Sequence, residues 1–272
     1  MPNIDCSPLS VLAPRGEHGG MGPFLRPIMP VDSASVGCVV EAGVRNVFGL
    51  SPYLSARAPE PASNFKHESG VARSLVRLRR PEIVYYEGLL SAAECKMMIA
   101  KAKKRLESSL VVDHSTGEGI VHPIRTSSGM SFKRQEDAQV AALENRMSQI
   151  FNWPVSKTEP FSMLRYRPGE FYNEHWDFFD YSTLGSGVHR DNGGNRVGTL
   201  ILYLNDCPSG GETLFADLGL EVYPKVGSGV YFSYPNPHCS SMTRHAGRPP
   251  KKGEKWIATL WFKEGVFTSA FE

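Results

Sequence analysis

The chain has 272 residues, 41% hydrophobic and 21% charged, with a net charge of +2. That is room for one large domain with an extension, or two small ones, around an ordinary core. Near-neutrality provides no global field for nucleic acid or an anionic membrane, and no apolar run approaches the ~18 residues of a membrane-spanning helix.

The five cysteines, Cys6, Cys38, Cys95, Cys207 and Cys239, are scattered without a C-x-x-C pair, which argues against a disulfide framework or a thiolate zinc site. The opening MPNIDCSPLSVLAPRGE lacks the continuous apolar stretch of a secretory signal. A cytoplasmic location is expected.

Nine of the twenty prolines fall in residues 1–63, where no helical or alternating period persists. Residues 1–80 read as a Pro/Gly-rich extension of unassigned role, with VGCVVEAGVRNVFGL (Val36–Leu50) its one candidate element. The basic run RSLVRLRR, Arg73–Arg80, reads as a solvated linker face. Compact structure is expected over 81–272. EIVYYEGLL is strand-like. Ser91 then stands three residues before Glu94, the spacing of a capping box. The helix that follows puts Cys95, Met98, Ile99, Ala102 and Leu106 on one stripe. SSLVVD reads as a strand, and STGEGIVHPIRTSSG as a long loop of the kind that often borders a cleft. EDAQVAALENRMSQIF forms a second amphipathic helix burying Val140, Leu143, Met147 and Ile150. After Pro160 the texture changes to about eight short strands: FSMLRYRPG, EFYNEHWDFF, RVGTLILYLN, GGETLFA, LEVYPK, GSGVYFSYP, SMTRHAG and EKWIATLWF. Helices followed by strands predict an α+β fold whose strands build a jelly roll.

In EFYNEHWDFF the unit His175-Trp176-Asp177 would place an imidazole and a carboxylate on one face of a strand, two side chains able to ligate a metal. His238 and His245 follow in the strand region; His189 lies in an intervening loop. Lys255 opens a strand ten residues after His245, sharing a face with Ile257, Thr259 and Trp261 by the period of two. Two histidines and one carboxylate occupy one face of an octahedral iron(II) and leave three positions open. A 2-oxo acid can fill two of these and dioxygen the third, while a lysine meets the far carboxylate, which would be costly to bury unpaired.

RTSSGM, RYRPGEFYNEHWD, GGNRVGTLILYLN, SGGETLF and RHAGRPPKKGEKWIATLWF, in this order from about Pro81 to the C-terminus, resemble the 2-oxoglutarate/iron(II) dioxygenases of the prolyl 4-hydroxylase type. The resemblance implies a double-stranded β-helix, jelly-roll and cupin-like, with supporting N-terminal helices. It implies His175, Asp177 and His245 as iron ligands. Lys255 would bind the C5 carboxylate of 2-oxoglutarate, with Tyr166 and Thr213 as hydroxyl donors to it. Tyr172, Arg196 and Trp261 would line a peptide cleft. His238, flanked by Pro237 and Cys239, is read as a loop histidine. The implied cosubstrates are 2-oxoglutarate and O2, with ascorbate as auxiliary reductant. The implied substrate is a proline-containing peptide or protein, with succinate and CO2 as co-products. A hydroxylase of a free amino acid or small metabolite on the same scaffold is the alternative, and a non-enzymatic cupin-like module is disfavoured by the complete triad and lysine. SYPNPHCSSMTRHAG departs from the family pattern, and FFDYSTLGSGVHRDNGG is free to vary; both would border the substrate entrance.

Overall fold

A computed structural model describes residues 25–27, 58–59 and 61–268. In chain order the elements are β1 (Leu25–Pro27), β2 (Asn64–His67), β3 (Gly70–Arg79), β4 (Glu82–Glu87), α1 (Ala92–Ala102), β5 (Glu107–Ser108), β6 (Val111–Val112), β7 (Gly119–Ile120), β8 (Ser128–Ser131), α2 (Ala138–Phe151), β9 (Ser162–Tyr166), β10 (Tyr172–His175), α3 (Ser186–Asp191), β11 (Arg196–Tyr203), β12 (Ser209–Gly210), β13 (Thr213–Phe215), β14 (Leu220–Val222), β15 (Gly229–Ser233), β16 (His245–Gly247), β17 (Pro250–Lys252) and β18 (Lys255–Lys263). A major sheet runs β2-β3-β4-β15-β11-β18-β9-β8-β5, and a minor sheet β1-β14-β13-β16-β10. The two enclose one interior as a double-stranded β-helix, the α+β jelly roll expected.

The period of two sorts the central strands between two cores. In β11 and β18, Leu200, Leu202, Ala258, Leu260 and Phe262 pack against α1 and α2 through Met98, Leu143, Met147 and Phe151. Their alternates Ile201, Tyr203 and Ile257 face the opposite way, into the space between the sheets with Phe215, Phe232 and Tyr234. Both faces of these strands are thus covered, which is why RVGTLILY and KWIATLWFK show so little polar alternation. The helices begin where their capping residues dictate. Ser91 N–H donates to Glu94 Oε2 at 2.7 Å, and Glu94 N–H donates to Ser91 Oγ at 3.3 Å. Asp137 accepts from the Gln139 and Val140 amides at 2.9 and 3.0 Å. Among the described residues no helix is long and apolar enough to cross a membrane.

One boundary and one element are corrected. Residues 64–79 are no linker: β2 and β3 form a hairpin, and β3 pairs with β4 from Arg73↔Glu87 to Arg79↔Glu82. The division at Pro81 falls in the turn joining two paired strands. The pairing register shifts between Ser74 and Val76, and this bulge hides the alternation that would have marked RSLVRLRR as a strand. The packed chain already includes Ala62, whose amide donates to Ile150 O at 3.0 Å. The candidate element Val36–Leu50 lies outside the described residues. The second correction is the short helix α3, in a segment read as loop.

Candidate active site

Register assembles the metal-ligating side chains. β10 pairs with β16 so that His175 stands opposite His245, and their rings lie 4.3 Å apart. The strand ends at His175, so Asp177 reaches the same point from the following bend rather than from a regular strand face. One candidate ligand atom from each of His175, Asp177 and His245 lies within 4.8 Å of the others. His175 Nε2 is 3.5 Å from Asp177 Oδ1, and His245 Nε2 is 3.7 Å from Oδ2.

Both imidazoles are oriented from behind. His175 Nδ1 lies 2.8 Å from Asn173 O and His245 Nδ1 3.0 Å from Thr243 O. A carbonyl only accepts, so Nδ1 carries the proton in each ring and the Nε2 lone pair faces the shared point. Burial, then the neighbouring His175, pushes His245 down to about 4 against the pull of Asp177, so the ring is neutral and can ligate. Burial would raise the Asp177 carboxyl, but His245, His175 and Arg196 hold it well below the usual carboxylate range. Thr199 Oγ1 donates to Asp177 Oδ2 at 2.7 Å and accepts from Tyr234. Two imidazoles turned with Nε2 toward one point and one fixed carboxylate are the donor set of a facial iron(II) site.

Deeper in the same cavity stands Lys255, 1% exposed and placed by β18 opposite Tyr166 of β9. Its Nζ donates to Thr213 Oγ1 at 3.5 Å, and it has no carboxylate ion-pair partner among the described residues. Burial pushes this ammonium down to about 8, leaving it charged at neutral pH and in want of an anion. Thr213 Oγ1 also accepts from Tyr203 Oη at 2.8 Å. Having accepted twice, it keeps its own proton to donate. The turn that delivers Thr213 needs two glycines: Gly210 and Gly211 have φ of +75° and +76°, and a Cβ on Gly210 would come within 2.4 Å of Pro249 O. Burial raises the Tyr166 hydroxyl, so it too remains a donor. The lining therefore fits a small dicarboxylate whose far end meets Lys255, Thr213 and Tyr166.

The cavity is closed toward its mouth by Tyr172, Arg125 and Trp261, all in its lining. The β10 register shifts between Tyr172 and His175, and the two rings stack with centroids 3.6 Å apart; a regular strand would have put them on opposite faces. Trp261 Nε1 is buried without a hydrogen-bond partner. Arg196, expected here, is not in the lining. Both oxygens of Glu159 hold its guanidinium, at 2.6 and 2.8 Å, its Nη1 donates to Asp177 O at 3.2 Å, and it lies 3.9 Å from the Trp261 ring centre. It supports the site from behind. His238 sits apart, beside Ser240 at 3.0 Å. Arg125 is the wall residue that sequence reading passed over. Its guanidinium lies 4.6 Å from the Tyr172 ring centre, and Nε is buried without a partner. The signal was present, as the first residue of RTSSGM.

A jelly roll holding two histidines and an aspartate at one point, with an unpaired lysine deeper in the same cavity, defines the class of iron(II) oxygenases that use a 2-oxo acid. Comparison with known proteins agrees. The family model of the 2OG-Fe(II) oxygenase superfamily matches residues 161–263. Probable prolyl 4-hydroxylase 7 of Arabidopsis thaliana is 33% identical over 212 residues, covering 70% of this chain and 65% of that one. Prolyl 4-hydroxylase 2 of the same plant is 32% identical over 215 residues, covering 69% of each. The chain thus spans about two thirds of the length of these relatives. The crystal structure of the viral collagen prolyl hydroxylase vCPH from Paramecium Bursaria Chlorella virus-1, in its 2OG complex, superposes with a TM-score of 0.51 at 26% identity, covering 66% of this chain and 94% of that one. The chain belongs to the prolyl 4-hydroxylase family of 2OG-Fe(II) oxygenases.

Proposed function

We propose that this protein is a 2-oxoglutarate- and Fe(II)-dependent dioxygenase that hydroxylates proline at the 4-position in a peptide or protein, releasing succinate and CO2. The observation that carries the reading is the single cavity in which His175, Asp177 and His245 converge while Lys255 stands buried with no carboxylate in ion-pair contact among the described residues. Fe(II) bound with 2-oxoglutarate and dioxygen supplies the oxidising equivalent for inserting one oxygen atom into a C–H bond. The chain's own part is placement. His175 and His245 offer Nε2 because Asn173 O and Thr243 O hold their protons at Nδ1. Asp177 is kept ionised against burial by His245, His175 and Arg196, and Thr199 holds it in one orientation. Lys255, Thr213 and Tyr166 hold the far carboxylate of the cosubstrate, fixing which end points to the metal. Tyr172 and Trp261 furnish flat aromatic walls on which a proline ring can stack. The unpartnered Trp261 Nε1–H is available to a peptide carbonyl.

The prolyl 4-hydroxylase relatives support a peptide substrate. Ascorbate as auxiliary reductant and a cytoplasmic location belong to the same reading. The deciding experiment is paired: succinate formation with and without a proline-rich peptide, and mass spectrometry for a gain of one oxygen on proline. Oxygen gained by a free amino acid and by no peptide would replace this substrate with a small metabolite.

A further inference from the structure

Both imidazoles of the triad take their orientation from backbone carbonyls, and neither carbonyl sits in a regular ladder. Asn173 O lies where the β10–β16 register shifts, between Tyr172 and His175. Thr243 O lies just before β16, after Met242 turns the chain with φ of +52°. Each carbonyl belongs to a peptide unit shared with the next residue, Glu174 in one case and Arg244 in the other. Those two side chains meet: Arg244 Nη1 is 3.1 Å from Glu174 Oε2. The same guanidinium reaches Asp217, beyond the end of β13, with Nη2 at 2.8 Å and Nε at 3.0 Å from Oδ1. It also lies 5.9 Å from the ring centre of Trp176, the residue between His175 and Asp177. One cation thus stands against chain neighbours of His175 and Asp177 and is itself the neighbour of His245.

We propose that Arg244, with Glu174 and Asp217, is a positioning residue for the metal site. The ion pairs hold the Asn173–Glu174 and Thr243–Arg244 peptide units so that both carbonyls accept from Nδ1 and both Nε2 atoms face the shared point. The inference rests on the reading of His175, Asp177 and His245 as metal ligands. Strand parity explains the layout. The residue next to a histidine on a strand points to the opposite face, so the clamp works from outside the cavity and touches neither metal nor cosubstrate. A carbonyl that rotated away would free the Nδ1 proton to move to Nε2, removing the lone pair that ligates. An arginine suits the task because its planar fork offers several N–H groups to two carboxylates at once. Its side chain is 18% exposed, so these pairs are not the fully solvated kind that contributes little. The next peptide unit is held as well, since the Ala216 amide donates to Arg244 O at 3.0 Å.

Two measurements on the full chain test this. The first needs no metal: long-range ¹H–¹⁵N spectra of ¹⁵N-histidine-labelled protein at about pH 8.5, well above an ordinary imidazole pKa, assigned through His175→Gln and His245→Gln. In the unaltered protein both rings should carry the proton at Nδ1. In Arg244→Gln they should show a mixture of the two tautomers. The second is anaerobic titration with Fe(II), where Arg244→Gln should lose about tenfold in affinity, the low end for groups that orient a metal-bound histidine. Glu174→Gln should show a smaller loss, and Arg244→Lys should recover part of it. Arg105→Gln, which breaks the Arg105–Glu136 pair far from the site, should change neither readout. Should Arg244→Gln fail to fold, Glu174→Gln, at a half-exposed side chain, decides by the same two measurements. Tautomers that stay at Nδ1 without the ion pair would overturn the proposal, as would an equal loss of affinity in Arg105→Gln. An unaltered protein that bound no Fe(II) would refute the metal reading instead, and the tautomers of the metal-free protein would still judge the clamp.

Discussion

Arg196 and Lys255 are both buried beside the triad, and they differ in one respect. Arg196 is matched inside the protein: Glu159 takes its fork with two hydrogen bonds, and the pair backs onto Asp177 and Trp261. Burial would lower the guanidinium pKa, and Glu159 raises it further than burial lowers it. Lys255 donates to Thr213 and lies over the Tyr166 and Tyr203 rings, with no carboxylate in ion-pair contact among the described residues, and burial pulls it down to about 8 against the more distant Cys207 and Glu212. A buried charge whose partner is part of the fold is architecture. One that lies in a cavity lining with no carboxylate in contact among the described residues is the place where an anionic ligand would offset its desolvation.

The triad between them sets the reference. His175→Ala or His245→Ala should abolish turnover and Fe(II) binding, whereas His238→Ala should leave both near the unaltered level; isothermal titration with Fe(II) under anaerobic conditions checks this. The reverse pattern would show that the ligands have been misassigned. Next in size is Lys255→Ala. Losing a charge-assisted contact to a buried carboxylate costs about 3–5 kcal/mol, or roughly 10²–10³-fold or more in the 2-oxoglutarate requirement. Fe(II) affinity should hold. Unchanged cosubstrate saturation would make Lys255 architectural like Arg196, and the comparison would collapse.

Glu159→Ala should act on stability instead, because it strands the Arg196 guanidinium. A cost of about 3–5 kcal/mol is expected from denaturant unfolding, with most of it recovered when Arg196 is also replaced by Leu. If Glu159→Ala left stability intact and raised only the peptide KM, Arg196 would after all be a substrate contact. Trp261→Ala should raise the KM for a proline-rich peptide about tenfold through lost stacking and a lost hydrogen bond, while peptide-free decarboxylation of 2-oxoglutarate persists. Trp261→Phe should retain the stacking part of that effect.

The smallest effect is on pH dependence. The folded-state pKa of Lys255 lies below its ordinary value, at about 8, and the ammonium is the form that binds a carboxylate. The site is charged below that pH and neutral above it. Apparent affinity for 2-oxoglutarate should be flat below about pH 8 and then fall by up to roughly tenfold per unit. Lys255→Ala should flatten the profile.

Much of this molecule was legible before any coordinates. The capping box at Ser91 and Glu94, the stripes of α1 and α2, and the alternation that puts Lys255, Ile257, Thr259 and Trp261 on one face are local patterns, and the structure contains each of them, except that α1 ends at Ala102 and leaves Leu106 beyond the helix. Three features were not legible, for identifiable reasons. The bulge in β3 broke the period that marks a strand, so a sheet strand passed for a linker. The resemblance placed Tyr172 in the cleft, but the irregular register in β10 that turns it toward His175 is one that a regular period excludes. The pairing of Arg196 with Glu159 joins residues 37 positions apart, and nothing local announces such a pair.

The sequence by itself determined the residue types of the site, their order along the chain and the elements that carry them, because ligand chemistry and strand parity depend on side chains and near neighbours. Only the tertiary structure decided which charges meet. It set His175 opposite His245 through strand register and brought Asp177 in from a bend. It closed Glu159 upon Arg196 and left Lys255 with no ion-pair partner among the described residues. These are long-range pairings, fixed by how two sheets close on one interior, and no local period encodes them.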